Sequence, residues 1–408
     1  MNITITNLLK KSSLLSRIGY AYREMKTRQK IKRYDSVDTQ FNKILFATTQ
    51  GRFNDSCKAI AIYLHQVQPT LEMVWVCRDS KYNFDFPDYI RPVLFESDEY
   101  FRELATSSVW VFNYLIPQGT VKRDNQLYIQ VWHGDKTFKK IANEAARDKK
   151  SYRKRTSGRK FLENDLCDYF MTGAELFTEI WERSVGYHGK VLTYGLPRND
   201  ILLKEYDPTP ICEKLEIPSD KMVLIYAPTF RDHHIDNGNI GTDIDISEVL
   251  DILEEKYARQ WICLKRSHGG TKLILTGTKE DGRIIDVSQY PDMNDLLLIS
   301  DMLITDYSSC AGDFAYTGKP VLLYQDDFEL YTTKDRSLIF DMKDTPYFVA
   351  HNMGELCERI MSLDEKSITE NDRKILELYQ STQTDHSTED ICEIIIKHMK
   401  SISEGSGE

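Results

Sequence analysis

Apolar, β-branched and aromatic residues fall in short runs along the chain, set apart by longer stretches of mixed polarity. In the first half the runs cover 43–48, 73–77, 108–114, 127–132, 168–171 and 191–194; in the second they cover 222–227, 261–265, 283–287, 302–305 and 320–324. A strand with one wet face alternates apolar and polar residues, whereas a continuous apolar run is buried on both faces, as in a parallel sheet covered by helices. Stretches such as 246–257 and 293–299 carry apolar residues at helical spacing, so strand and helix alternate. The runs form two successive sets. Between them, 204–220 is the least apolar stretch and holds Pro208, Pro210 and Pro218, which marks a linker. The pattern predicts an α/β protein of two Rossmann-like domains, 36–205 and 206–395, whose parallel sheets face a central cleft. A tail, 396–408, Ser/Gly/Glu-rich from Ser401 on, is expected to be disordered.

At 408 residues and 41% hydrophobic, the chain can bury two such cores. No window approaches the roughly 18 consecutive apolar residues of a membrane span, and residues 1–20 lack the basic, apolar and small-residue order of a secretory leader. A cytoplasmic protein is expected. The eight cysteines, Cys57, Cys77, Cys167, Cys212, Cys263, Cys310, Cys357 and Cys392, are scattered, several within apolar runs. They predict reduced, packing thiols rather than a disulfide framework or a zinc site. The net charge of −10 hides an asymmetry: residues 1–33 carry nine Lys or Arg against Glu24 alone, and 136–160 carry eleven against Glu144 and Asp148. The remainder is strongly acidic, which excludes a general nucleic-acid binder and leaves two segments suited to particular anions, membrane head groups first.

Ligands of open parallel sheets bind beyond the carboxyl ends of the strands, so the polar residues that follow the runs are the candidates for chemistry. The run 127–132 ends in His133 and Gly134, followed by Asp135, Lys136 and Thr137. His133 at a cleft edge either takes a proton from an attacking hydroxyl, worth about 10²- to 10⁴-fold in rate, or merely caps the strand end. After 222–227 come Pro228, Thr229, Arg231 and Asp232. Here Arg231 either faces phosphate or pairs with its neighbour at the surface. The following Asp232-His233-His234-Ile235-Asp236 looks metal-like but has no companion ligands elsewhere, so no metal is expected there.

Beyond 261–265 stand Arg266, Ser267 and His268, and then two glycines. In an extended segment Arg266 and His268 share one face, suited to gripping a phosphate group. The run 302–305 leads into Asp306-Tyr307-Ser308-Ser309 and then Asp313-Phe314. Ser308 and Ser309 are placed to open a helix, either as caps or as part of an anion site.

Five of these elements in order resemble the CDP-glycerol glycerophosphotransferase family of teichoic acid synthesis, over roughly 51–331. They are Trp132-His133-Gly134, the Pro-Arg-Asn-Asp of 197–200, the Tyr-Ala-Pro-Thr-aromatic-Arg-Asp of 226–232, the Arg-x-His of 266–268, and the Thr-Asp-Tyr-Ser-Ser of 305–309 with its following Asp-Phe. The segment 51–58, with Asn54, Ser56 and Lys58, is similar to the family's first strand-to-helix turn. The resemblance implies a GT-B architecture, with the CDP moiety on the second domain and the acceptor approaching from the first. It implies that His133 is the general base, that Arg198, Thr229, Arg266, His268, Ser308, Ser309 and Asp313 hold the donor, and that His268 stabilises charge on the pyrophosphate as CMP leaves. Gly134, Asp135, Lys136, Thr137, Pro228 and Ser267 complete the expected substrate contacts. No cofactor and no metal is implied.

One departure bears on the substrate. The family commonly continues Trp-His-Gly with Thr-Pro-Leu-Lys, where this chain has Asp135-Lys136-Thr137-Phe138-Lys139. A carboxylate beside a diphosphate would repel it unless Lys136 compensates, so CDP-ribitol stands as the alternative donor to CDP-glycerol. The expected acceptor is a lipid-linked glycan or a growing polyol-phosphate chain, in teichoic acid or capsule synthesis. Residues 1–35, with Leu8, Leu9, Leu14, Leu15 and Ile18 among basic neighbours, are then expected to lie on an anionic membrane as a peripheral anchor at its cytoplasmic face. A nucleotide-sugar glycosyltransferase of the same architecture and a non-enzymatic membrane-bound scaffold are the competing readings. The sequence leaves open a homo-oligomer.

Overall fold

A computed structural model of the chain describes residues 13–78, 86–229, 231, 239–267, 272–275 and 281–405. All eleven apolar runs become strands, and the described part divides into two compact units. The first takes in the described residues up to Asp135, then Ile141–Asp200, then those from Thr382 on; the second takes in Lys136–Lys140 and Ile201–Ser381.

In the first unit α1 (Ser13–Lys32) precedes a sheet of β1 (Gln40–Ala47), β2 (Glu72–Cys77), β3 (Ile90–Leu94), β4 (Ser107–Phe112), β5 (Leu127–Gln130), β6 (Tyr169–Met171) and β7 (Lys190–Leu192). Their order is β3-β2-β1-β4-β5-β6-β7, and every pairing is parallel. Strand β3, absent from the sequence pattern, contains Pro92 and lies at the sheet edge, where a missing N–H leaves no gap in a ladder. After β1, α2 (Asp55–Val67) lays Cys57, Ile60 and Leu64 on Phe46, Trp75 and Val111 of the sheet. Helix α1 docks by close backbone approach. A Cβ on Gly119 or Gly158, both in the left-handed region, would run into the backbone of Glu24 or Arg17.

The second unit holds a six-stranded parallel sheet of β8 (Met222–Tyr226), β10 (Trp261–Lys265), β12 (Ile284–Asp286), β13 (Met302–Thr305), β14 (Val321–Tyr324) and β15 (Phe348–Ala350), ordered β12-β10-β8-β13-β14-β15. A separate parallel pair joins β9 (Asn239–Thr242) to β11 (Lys272–Leu275). Helix α3 (Ile246–Tyr257) and the later α5 (Met353–Ser362) flank α4 (Cys310–Phe314) in sequence. Val249, Leu250 and Leu253 of α3 and Leu356 and Ile360 of α5 close the core over Leu224, Trp261 and Ile304.

Three stretches depart from the expected division at 205/206, the first being Lys136–Lys140, which lies in the second unit. The chain passes from first unit to second after Asp200, and 209–214 of the expected linker is helical inside the second unit. More consequentially, α6 (Glu365–Leu378) is followed by α7 (Ser387–Gly405), which returns to the first unit. Its Ile391, Cys392, Ile395 and Met399 complete the core built by α2 and the first sheet. Residues 396–405, expected to be disordered, are the end of this helix. The Ser/Gly/Glu composition of the last residues masks an apolar spacing that only a partner surface makes decisive. Among the described residues no helix is long and apolar enough to cross a membrane, and all eight cysteines are free.

Candidate active site

Past β5 the chain turns sharply: Trp132 sits at φ +43 and Gly134 at φ +150. A bulky residue at positive φ is strained, and such strain persists only where the surroundings enforce it. The side chain of Gln130, fully buried, does so, accepting from the Trp132 amide at 2.9 Å and donating to the Tyr114 carbonyl at 3.0 Å. Between these two residues His133 is exposed, its ring centroid 4.1 Å from that of Trp132. His133 Nδ1 lies 2.6 Å from the Asn113 carbonyl oxygen. A carbonyl only accepts, so Nδ1 carries the hydrogen and the neutral ring has its lone pair on Nε2. This is the tautomer a general base needs.

The neighbouring calls separate. Asp135 is fully buried, and its Oδ2 accepts from the Gly173 amide at 2.6 Å and the Thr172 hydroxyl at 3.0 Å. The repulsion expected between this carboxylate and a diphosphate is thereby answered, since its charge is engaged within the first unit. Arg198, expected to hold the donor, also lies in the first unit, 3.3 Å from Asp55 Oδ2. Asp55 in turn accepts from Asn113 Nδ2 at 3.2 Å. Asn113 and Asp55 were not singled out by the sequence reading. The available signal was position, because Asn113 is the first residue after a strand that is apolar from Val109 to Phe112.

The stretch 136–140 adds a strip to the second unit. Ile339 donates to the Phe138 carbonyl at 2.7 Å and Lys140 to that of Ser337 at 3.0 Å, while Thr137 Oγ1 makes a local turn with the Lys139 amide. Lys136, fully buried, has its ammonium 3.5 Å from Asp313 Oδ1 and 4.7 Å from the Tyr316 ring centre. It lies against Gly312, where a Cβ would overlap it. Lys136 and Asp313 therefore neutralise one another. Burial pushes the Lys139 ammonium down to about 8 against the pull of Asp306, with Arg336 and Arg231 adding repulsion.

The loops after β8 and β13 are one structure. Asp306 accepts the Thr229 amide at 2.8 Å and meets the Arg231 guanidinium at 2.7 Å, and Asp327 takes Arg231 Nε at 2.6 Å. Burial opposes the charge on Arg231, but Asp306 and Asp327 outweigh it and hold the guanidinium protonated. Arg231 thus ties two loops together. Pro228 and Thr229 are buried beside it, and the Thr229 hydroxyl has no partner among the described residues. Ser309 stands at the start of α4 without spending its hydroxyl on a cap, next to the half-buried Ser308. After β10, Arg266 donates to the Tyr290 carbonyl at 2.9 Å, and the Ser267 hydroxyl bonds Ser288 at 2.8 Å. His268 and the 232–236 stretch lie outside the described residues. Among those described, no group of three His, Cys, Asp or Glu side chains is arranged to hold a metal ion.

The first unit thus gathers His133, Gly134, Asp135 and Arg198, and the second gathers Lys136, Thr137, Pro228, Thr229, Arg266, Ser267, Ser308, Ser309 and Asp313. The family model described as CDP-Glycerol:Poly(glycerophosphate) glycerophosphotransferase matches residues 29–397. The chain belongs to this family. Within it, the chain is 29% identical over 354 residues to the teichoic acid poly(glycerol phosphate) polymerase of Staphylococcus epidermidis, covering 81% of this chain and 47% of that one. It is 29% identical over 375 residues to the teichoic acid glycerol-phosphate transferase of Staphylococcus aureus, covering 87% and 93%. A solved structure of the wall teichoic acid polymerase TagF soaked with CDPG is similar at a TM-score of 0.77 and 27% identity, over 94% of this chain and 98% of that one. The chain spans about half the length of the curated polymerases it matches, 47% and 44%. The GT-B-like α/β fold expected from the sequence agrees with the likeness to TagF.

Proposed function

We propose that the protein transfers glycerol phosphate from CDP-glycerol to a lipid-linked saccharide or a growing glycerol-phosphate chain, releasing CMP, in the synthesis of a teichoic acid or related capsule polymer. The observation that carries this reading is His133: within a family of glycerophosphotransferases, its proton-accepting nitrogen is Nε2, on an exposed ring at a strand end. In the step, an acceptor hydroxyl oxygen attacks the phosphorus that bears glycerol. The P–O bond to CMP breaks, the hydroxyl proton passes to His133 Nε2, and CMP leaves with its phosphate. Most of the barrier is met by positioning and by charge neutralisation rather than by covalent chemistry. Thr229, Ser308, Ser309 and Arg266 are the groups assigned to the donor, and the unpartnered Thr229 hydroxyl supports that assignment. With Asp135 engaged inside the first unit, the departure from Thr-Pro-Leu-Lys gives no reason to prefer ribitol.

The acceptor is lipid-linked, and we assign α1 the task of meeting its membrane. Leu14, Ile18, Tyr22 and Met25 are each at least half exposed. Their spacing lines one helix face, opposite the one docked on the first unit, and Arg17, Arg23 and Lys26 flank it. On this reading the protein is peripheral at the cytoplasmic face.

The test is CMP release by purified protein from CDP-glycerol and, separately, CDP-ribitol, with a lipid-linked disaccharide acceptor. Release from CDP-glycerol that His133→Ala reduces at least ~10²-fold is the expected result. Release from CDP-ribitol alone changes the donor, and protection by UDP or GDP rather than CMP would point to a glycosyltransferase.

A further inference from the structure

We infer that Asn113 is a positioning residue for His133, fixing the tautomer and direction of the base through its main-chain carbonyl. This rests on the reading of His133 as base, and goes beyond it by naming what holds the ring. The parallel ladder between β4 and β5 ends where the Val131 amide donates to the Phe112 carbonyl at 2.9 Å. The carbonyl of Asn113, the first residue past β4, receives an imidazole N–H at 2.6 Å. The one after it, that of Tyr114, receives the Gln130 side chain.

A carbonyl steers a ring only if the residue that carries it is held, and Asn113 is held at three points. The Asn113 amide donates to the Ala47 carbonyl at 3.0 Å. Its side-chain Nδ2 donates to Asp55 Oδ2 at 3.2 Å, and its Oδ1 accepts from the Thr49 hydroxyl at 3.3 Å. Asp55 is fixed by Arg198 and by its place at the start of α2, where it accepts the Ser56 amide at 2.6 Å. The side chain of Asn113 is 2% exposed, so its carboxamide is committed to these bonds rather than to solvent or substrate. The arm runs from Arg198 through Asp55 and Asn113 to the Nδ1 edge. When the ring takes a proton on Nε2, the Nδ1–H bond persists and becomes charge-assisted.

Partners that orient a functional imidazole are worth about 10- to 100-fold when removed. Asn113→Ala keeps the carbonyl but removes the two side-chain bonds that help to fix the residue. It is expected to lower kcat by about that factor while leaving KM for CDP-glycerol near that of the wild type; losing two hydrogen bonds of a buried side chain lowers the melting temperature, so turnover is compared well below it. In the His133→Ala background the same change should cost nothing further, because residues that act as a unit are non-additive. Nitrogen NMR of histidine-labelled protein, with His133→Ala identifying the resonance, should show the Nδ1–H form in the wild type and a mixture in Asn113→Ala. Asp55→Asn, which retains an acceptor for Asn113 but weakens Arg198's hold, should fall between. Full kcat in Asn113→Ala, with His133→Ala inactive, overturns the role of Asn113 and leaves the base intact. An Nε2–H wild type also overturns it. Turnover retained by His133→Ala removes the base itself, and the inference with it.

Discussion

At the scale of the residue, the groups that look from the sequence most like phosphate ligands are in several cases already paired. Arg231 is shared by Asp306 and Asp327, and Lys136 faces Asp313. A buried charge without a counterion costs several kcal/mol, so a cation and an anion that meet in the interior stay together. The opposite case is Asp372 on α6. It is 5% exposed, both carboxylate oxygens lack a partner among the described residues, and burial pushes its pKa up to about 8. The folded state therefore holds a proton that the unfolded chain releases near pH 4. The stabilisation is complete below that pH, declines by up to ~1.4 kcal/mol per unit as pH rises toward 8, and is level above. Asp372→Asn should flatten the decline, raising the urea midpoint far more at pH 8 than at pH 5. Equal gains at both values would show that the carboxyl is not buried and neutral.

At the scale of the element, α7 carries the strongest claim. It comes last in the chain, yet Ile391, Ile395 and Met399 are part of the same core as β1 and α2. Its attachment is reinforced by Gln383, which donates to the Leu196 carbonyl at 3.2 Å and takes the Leu196 amide at 2.8 Å, and by Thr388, whose hydroxyl meets Asp200 at 2.7 Å. Ile395→Ala should destabilise the first unit by about 2–4 kcal/mol, read by chemical denaturation. A loss below about 1 kcal/mol would mean that the helix is not part of that core.

At the scale of the whole molecule, a net charge of −10 coexists with basic segments at 1–33 and 136–160. An acidic protein approaches an anionic surface only through such segments, and the attraction falls with salt. The full chain should co-sediment with vesicles containing anionic lipid, less so at high salt. Ile18→Asp with Tyr22→Asp on α1 should abolish it without changing turnover of a soluble acceptor analogue. Undiminished binding by that variant would assign the membrane contact elsewhere.

The alternation of strand and helix was legible because it depends on residues a few positions apart. Continuous runs such as 108–112 and 302–305 are too short for a buried helix and so read as strands buried on both faces. The ordered motifs around His133, Thr229 and Ser308 were legible for a related reason, since each is a short segment at a strand end. Pairings across long stretches of chain were not. Arg198 meets Asp55 across 143 positions, and Thr388 meets Asp200 across 188. The sequence by itself determined two parallel α/β sheets and the strand ends at which the candidate residues for chemistry lie. Only the tertiary structure decided that Asp135 and Lys136 turn into different units, that Asn113 holds His133, and that the last helix belongs to the first core. Local pattern determines which face of an element must be buried, but the surface that buries it is supplied by residues far away in the chain.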